Sequence, residues 1–320
     1  MTQSALRWLG KNRAHLIFGS NTDVGKTIVT TALVQASLRR KSSDEQVYQL
    51  VKYIKPLQCG GSDQSFVDSH VAQQRHSQSV IYDSHMLYQW KSYTSPHLAS
   101  RFEDHYVSDD EVLSSLLQNF QDTLDNTDAS CTTFIETAGG VLSPGPANSN
   151  NKWSTQADLY SSLNPYIPTI LVGDGSLGGI SATISSLESI WMRGYNVDSI
   201  ILLETNPSEG NDDDDTGKTT SLSNTEALQE YIFYSAESSI AFQQKEKYIQ
   251  TSSKKPAHHI QEIPNTLDPE KDIICITKSI PPMPLPLTQW FQDSYVISEF
   301  DEIESRLEDK WFPSTSNPYK

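Results

Sequence analysis

The stretch Gly19-Ser20-Asn21-Thr22-Asp23-Val24-Gly25-Lys26-Thr27 limits what this chain can fold into more than any other. A leading glycine and a closing Gly25-Lys26-Thr27 read as a phosphate loop of the G-x-x-x-x-G-K-[ST] type. His15 to Phe18, just ahead, is a short apolar run with the character of a strand. Val29, Leu33 and Ala36, just behind, recur at helical spacing. Strand, glycine loop and helix start in that order give the motif its meaning. Backbone N–H groups of such a loop cradle phosphate oxygens, and the partial positive charge of the helix start adds to the attraction. Lys26 is expected on the outer phosphates and the Thr27 hydroxyl on magnesium. The expected fold class is α/β, a P-loop NTPase-like, mostly parallel, doubly wound sheet flanked by helices.

At 320 residues the chain is one large domain or two small ones. Apolar residues make up 36%, low for a compact enzyme, so part of the chain is expected to be loop or insertion. The 24 basic and 40 acidic residues leave a net charge of −16, which argues against a nucleic-acid partner. A phosphate ligand must then be held locally, by a loop and a metal ion. Cys59, Cys131 and Cys275 have no paired spacing, so neither a disulfide framework nor a zinc site is expected. No apolar run reaches membrane-span length. The first 14 residues read as an N-terminal extension. Arg7, Lys11 and Arg13 precede the first acid, Asp23, which is also the pattern of a transit-peptide remnant.

Taken in order, Lys41–Gln46 reads as a loop and Val47–Ile54 as a second strand, stopped by Lys55-Pro56. Lys55 and Asp63 then fall beyond a strand's C-terminal end, where open α/β sheets bind ligands. Lys55 suits a phosphate or a developing negative charge and Asp63 a magnesium shell; either, alone, is also what a solvated surface residue looks like. Asp68–Tyr88 has modest helical character, and Asp109–Leu124 is an amphipathic helix with Val112, Leu116 and Phe120 four apart. A third strand, Thr132–Ile135, ends at Glu136, a second candidate magnesium contact. Val141–Asp158 is a long loop. Pro168–Val172 is a fourth strand, and Gly173–Ser181 opens a helix running to about Arg193. The glycines of that turn serve either an anion at the helix start or tight helix–sheet packing. Val197–Leu203 is a fifth strand, ending at Glu204. Asp212–Asp215 mark residues 206–225 as an acidic disordered insertion rather than a metal site. Glu226–Ile249 reads as a helix and Lys271–Thr277 as a last strand. A Pro-rich segment and one more helix complete residues 226–320.

Several of these stretches, in order over about residues 15–205, resemble dethiobiotin synthetase, most closely the synthetase half of eukaryotic bifunctional biotin enzymes. They are Gly19–Thr27, Tyr53-Ile54-Lys55-Pro56-Leu57-Gln58, Ser95-Pro96-His97-Leu98-Ala99, Glu136–Pro146, Gln156–Tyr160 and Gly173–Ser181. The resemblance implies an ATP- and magnesium-dependent ligase of biotin biosynthesis. It would join 7,8-diaminononanoate and CO2 into the cyclic urea dethiobiotin, releasing ADP and phosphate. It implies Lys26, Lys55 and Thr22 as catalytic residues. Thr22, Asp23, Val24, Gly25, Lys26, Thr27 and Glu204 would contact ATP, and Thr27, Asp63 and Glu136 would hold magnesium. Cys59, Gly139, Gly178, Gly179 and Ser181 would contact the diamine, the last three from a neighbouring subunit of a homodimer. The implied partners are small molecules, and the implied location is mitochondrial, with the cytoplasm as alternative.

The chain departs from the family where Cys59 replaces a Thr or Ser and Ser181 an Asn, and the region after Glu204 matches weakly. An aminotransferase half would need several hundred further residues, so the expectation is a free-standing synthetase or the front part of a longer product. Two competing readings are a P-loop ligase or kinase for another small acid, and a non-catalytic nucleotide switch or inactive paralogue. Partition-type switches carry a second lysine early in the loop, which Ser20–Asp23 lacks.

Overall fold

The computed structural model describes residues 12–40, 49–72, 80–127, 129–164, 166–203, 224–234, 267–281 and 286–311. Seven strands form one sheet: β1 Arg13–Gly19, β2 Gln49–Cys59, β3 Val80–Trp90, β4 Ser130–Gly140, β5 Thr169–Val172, β6 Val197–Leu203 and β7 Ile273–Ile276. Their order is β3-β2-β4-β1-β5-β6-β7, and every pairing is parallel. The helices are α1 Lys26–Arg39, α2 Asp63–Val71, α3 Pro96–Phe102, α4 Asp109–Asn126, α5 Gln156–Leu159, α6 Gly179–Trp191, α7 (224–234), α8 Thr288–Phe291 and α9 Ser294–Trp311.

Side chains alternate across a strand, so β1 feeds two cores. Ala14, Leu16 and Phe18 pack in one cluster with residues of α3 to α7, while Ile17 packs in the other with α1, α2, α8 and α9. Both faces of the sheet are therefore covered, as parallel sheets require. The whole of β1 and β6 is buried. On α4, Val112, Leu116 and Phe120 are buried, and the helix opens with a capping box between Ser108 and Glu111.

Four strands differ from the sequence reading. β2 runs through Pro56 to Cys59 rather than stopping there: pairing with β3 continues past the proline to Cys59, whereas pairing with β4 ends at Ile54. Proline has no N–H to give, so β2 and β4 part at this point. β4 likewise continues through Glu136 to Gly140, so Glu136 is a fully buried strand residue and not a charged tip in water. The region expected to be weakly helical ends at α2, and Val80–Trp90 is the edge strand β3, mostly half-buried. β1 begins at Arg13, inside the stretch read as an extension. The acidic run 206–223, the Lys41–Gln46 loop, Glu204, and most of the helix expected over Glu226–Ile249 lie outside the described residues.

Candidate active site

The chain leaves β1 for β2 on one side of the sheet and leaves β4 for β5 on the other, so the C-terminal ends of β1 and β4 flank a topological switch point. The two ends are tied: the Val141 N–H donates to the Gly19 carbonyl at 3.0 Å. A side chain at Gly140 would crowd Asn21 Cα, Ser20 O and Asn21 N, which lie 3.2–3.5 Å from where its Cβ would stand. Five residues separate Gly19 from Gly25, one more than the expected loop spacing. Within this longer turn Asp23 adopts φ 60° and Gly25 φ 91°. Gly25 also leaves only 2.5 Å between a hypothetical Cβ and Leu203 Cδ1, so both conformation and space call for glycine.

A cavity of about 770 Å³ opens over this loop. Thr22, Asp23, Gly25, Lys26 and Thr27 line its floor, Lys55, Cys59 and Asp63 one wall, Glu136 and Gly139 another. Val24 instead packs against the core beneath α1. The Lys26 ammonium folds back over the loop and donates to the Asn21 carbonyl at 3.2 Å. The parting of β2 and β4 makes room for Lys55 and Glu136 to meet: Lys55 Nζ lies 2.8 Å from Glu136 Oε1 and 2.7 Å from Asp63 Oδ2. Thr27 Oγ1 donates to the same Oε1 at 2.8 Å. Asp63 is the first residue of α2, whose start is joined to β2 by the Asp63 N–H donating to Gln58 Oε1 at 3.3 Å.

Burial pushes the Lys26 ammonium down to about 8, with neighbouring Lys55 adding to the fall. Burial pushes Lys55 down as well, but Glu136 and Asp63 outweigh it and hold the ammonium above the ordinary lysine range. Lys26 is thus the easier of the two to discharge. Burial raises the Cys59 thiol to about 12, so it faces the cavity as a neutral, weak hydrogen-bonding group.

The expected site residues divide into three groups. Thr22, Asp23, Gly25, Lys26, Thr27, Lys55, Cys59, Asp63, Glu136 and Gly139 surround one cavity. Gly178, Gly179 and Ser181 do not line it; they form the start of α6, with Gly178 and Ser181 exposed. Glu204 is outside the described residues. Gly179 is required there by packing, since a Cβ would lie 2.0 Å from the Asp174 carbonyl oxygen. His97 accepts or donates locally with Ser95 Oγ at 2.8 Å and lies beside Trp153, off the cavity lining. Sequence reasoning passed over Tyr53, whose hydroxyl donates to Glu136 Oε2 at 3.2 Å. Its position two residues before Lys55, on the same face of β2, was the available signal.

The donors around Thr27 are hard oxygens, one hydroxyl and the carboxylates of Glu136 and Asp63. That set fits magnesium, which takes one or two carboxylates together with phosphate oxygens rather than a closed protein cage. Among the described residues no cluster of three or more His, Cys, Asp or Glu able to hold a metal occurs. No helix among them is long and apolar enough to cross a membrane.

A family model described as an AAA domain matches residues 13–252. A bifunctional dethiobiotin synthetase/adenosylmethionine-8-amino-7-oxononanoate aminotransferase of Emericella nidulans is 42% identical over 192 residues, 60% of this chain and 22% of that protein. A bifunctional dethiobiotin synthetase/7,8-diamino-pelargonic acid aminotransferase, mitochondrial, of Oryza sativa subsp. japonica is 34% identical, covering 59% of this chain and 27% of that protein. The chain thus spans about a quarter of the length of these relatives. An ATP-dependent dethiobiotin synthetase of Lysinibacillus sphaericus is 29% identical over 58% of this chain and 73% of that protein.

Proposed function

Since the chain belongs to the AAA-domain family, we propose that its cavity binds ATP and that the protein is a dethiobiotin synthetase. It carboxylates 7,8-diaminononanoate with CO2 and closes the cyclic urea at the expense of ATP. The observation that carries the reading is the meeting of Lys26, Thr27, Lys55, Asp63 and Glu136 around one cavity above a phosphate loop. The relatives' names agree with it.

In this reaction one amine captures CO2 as a carbamate. A carbamate oxygen attacks the γ-phosphorus and ADP leaves. The second amine then attacks the carbamoyl carbon and phosphate leaves. Negative charge gathers on the carbamate and the transferring phosphoryl group, so positioning and fixed positive charge supply most of the catalysis. Loop N–H groups and Lys26 hold the phosphates; a bound phosphate keeps Lys26 charged despite its depressed pKa. Lys55, held protonated by Glu136 and Asp63, acts as a cation toward the carbamate and not as a base. Thr27, Asp63 and Glu136 would hold magnesium, which when bound neutralises phosphate charge. Cys59 and Gly139 adjoin the diamine. The N–H groups starting α6, at Gly178 and Ser181, suit the substrate carboxylate, with the Gly179 N–H donating to the Ser176 carbonyl at 2.9 Å; they lie off this cavity, so the reading calls for a second subunit to bring them in. The name of the rice relative suggests a mitochondrial setting.

The test is phosphate release from magnesium and ATP, with and without the diamine and bicarbonate, with mass spectrometry of the product. Diamine-dependent release with dethiobiotin formed is expected. Nucleotide binding without such release would replace the reading by a switch or an inactive relative, and release dependent on a different acid would reassign the substrate.

A further inference from the structure

The two oxygens of the Glu136 carboxylate face different surroundings. Oε1 takes the Thr27 hydroxyl and the Lys55 ammonium, each at 2.8 Å, beside the cavity. Oε2 turns toward Tyr53, whose hydroxyl donates to it at 3.2 Å. Tyr53 has no exposed surface and packs in the core that α1, α2 and α9 share with the sheet. Its phenolic O–H is the donor of that bond. Glu136 itself is fully buried, so no solvent is available to replace that bond.

We propose that Tyr53 is a positioning residue of the site: its hydroxyl fixes the rotation of the Glu136 carboxylate and so aims Oε1 at Thr27 and at the cation carried by the nucleotide. This rests on the reading of the cavity as a magnesium–nucleotide site. Groups that hold a ligand carboxylate from behind commonly change metal affinity by about 10–100-fold when removed, because they set the angle at which the ligand oxygen is offered. Tyr53 does not line the cavity. Its loss therefore leaves the phosphate contacts of the loop untouched and acts through the Glu136 carboxylate, on the cation and on Lys55, which shares Oε1.

Tyr53→Phe keeps the ring and removes the donor. ADP binding to the full chain is measured by calorimetry with magnesium and with EDTA. The expected result is about tenfold weaker binding with magnesium and unchanged binding with EDTA. The magnesium concentration for half-maximal phosphate release should rise by a similar factor. In a cycle with Glu136→Gln, the magnesium effect of Tyr53→Phe should vanish once the carboxylate is gone. Equal weakening with and without magnesium, no change in either, or an undiminished effect in the Glu136→Gln background would overturn the inference. Wild-type protein whose ADP affinity ignores magnesium would instead overturn the reading of the cavity, and the inference with it. Should Tyr53→Phe not fold, Tyr53→Leu, which also removes the donor, takes its place under the same readings.

Discussion

Lys55 sits with its ammonium between two carboxylates, one of which, Glu136, has no exposed surface. Removing one partner of a buried pair leaves a charge that neither water nor protein compensates, at about 3–5 kcal/mol. Lys55→Ala is therefore expected to abolish turnover and to lower stability by about that amount in urea unfolding. The double variant Lys55→Met, Glu136→Met removes both charges, and it should recover most of the stability and none of the activity. Equal instability of single and double variants would contradict the argument. Lys26, Thr27, Lys55 and Glu136 were legible in the sequence because a phosphate loop and strand ends announce them. Their burial was not: each lysine has almost none of its surface exposed. Burial depends on which strands are neighbours, and no local pattern records that. Tyr53 escaped notice for the same reason, being read as part of an apolar strand.

At the scale of the element, α9 shows how position decides worth. Asp301, Glu304 and Glu308 recur along one side of the helix and pair with Arg39, Arg13 and Arg40 respectively. Glu304 also accepts from the Ser37 hydroxyl at 2.7 Å, so one carboxylate joins α9 to both α1 and β1. That pair is buried, whereas the Arg40–Glu308 pair is about a third exposed. Glu304→Ala should cost about 3–5 kcal/mol and raise hydrogen exchange throughout α9. Glu308→Ala should cost less than about 1 kcal/mol. Comparable losses would refute the distinction. Elements with strong periodicity, such as α4, or ending in an apolar run, such as Ile200–Leu203 of β6, were readable to within a few residues. β3 was not. It is an edge strand, mostly half-buried and ending at fully buried Trp90, and its Asp83-Ser84-His85 centre breaks the apolar run that would have marked it.

Across the whole molecule, acid should act through His15. It lies fully buried on the central strand, beside Phe134 and Trp311, with Nε2 3.2 Å from Asp198 Oδ2. Burial lowers its pKa, more than the Asp198 partner and Glu304 raise it, with Arg13 adding to the fall. In the unfolded chain the imidazole titrates near 6.5. Below that pH the unfolded state binds a proton that the folded state refuses, so stability is full above about 6.5 and falls as pH drops toward the folded value, by up to about 1.4 kcal/mol per unit. His15→Gln should flatten the stability profile between pH 7 and 5.5 in urea unfolding; an unaltered slope would refute this. Strand order, by contrast, could not be foreseen. β4 enters between β2 and β1, a long-range pairing that leaves no mark on either strand's composition.

The parting of β2 from β4 at Pro56 carries a consequence for how this protein can be altered. On its Lys55–Glu136 side the site is a seam between two strands of the main sheet, while loop residues such as Thr22, Asp23, Tyr93 and Thr94 line the rest. The seam's width is set by where backbone pairing stops, at Ile54 and Ile135. A bulkier ligand could be admitted on that side only by unzipping further rungs of the ladder on which both cores rest. Selection for larger substrates there would draw directly on the cohesion of the fold, whereas the loop side can be widened without touching it.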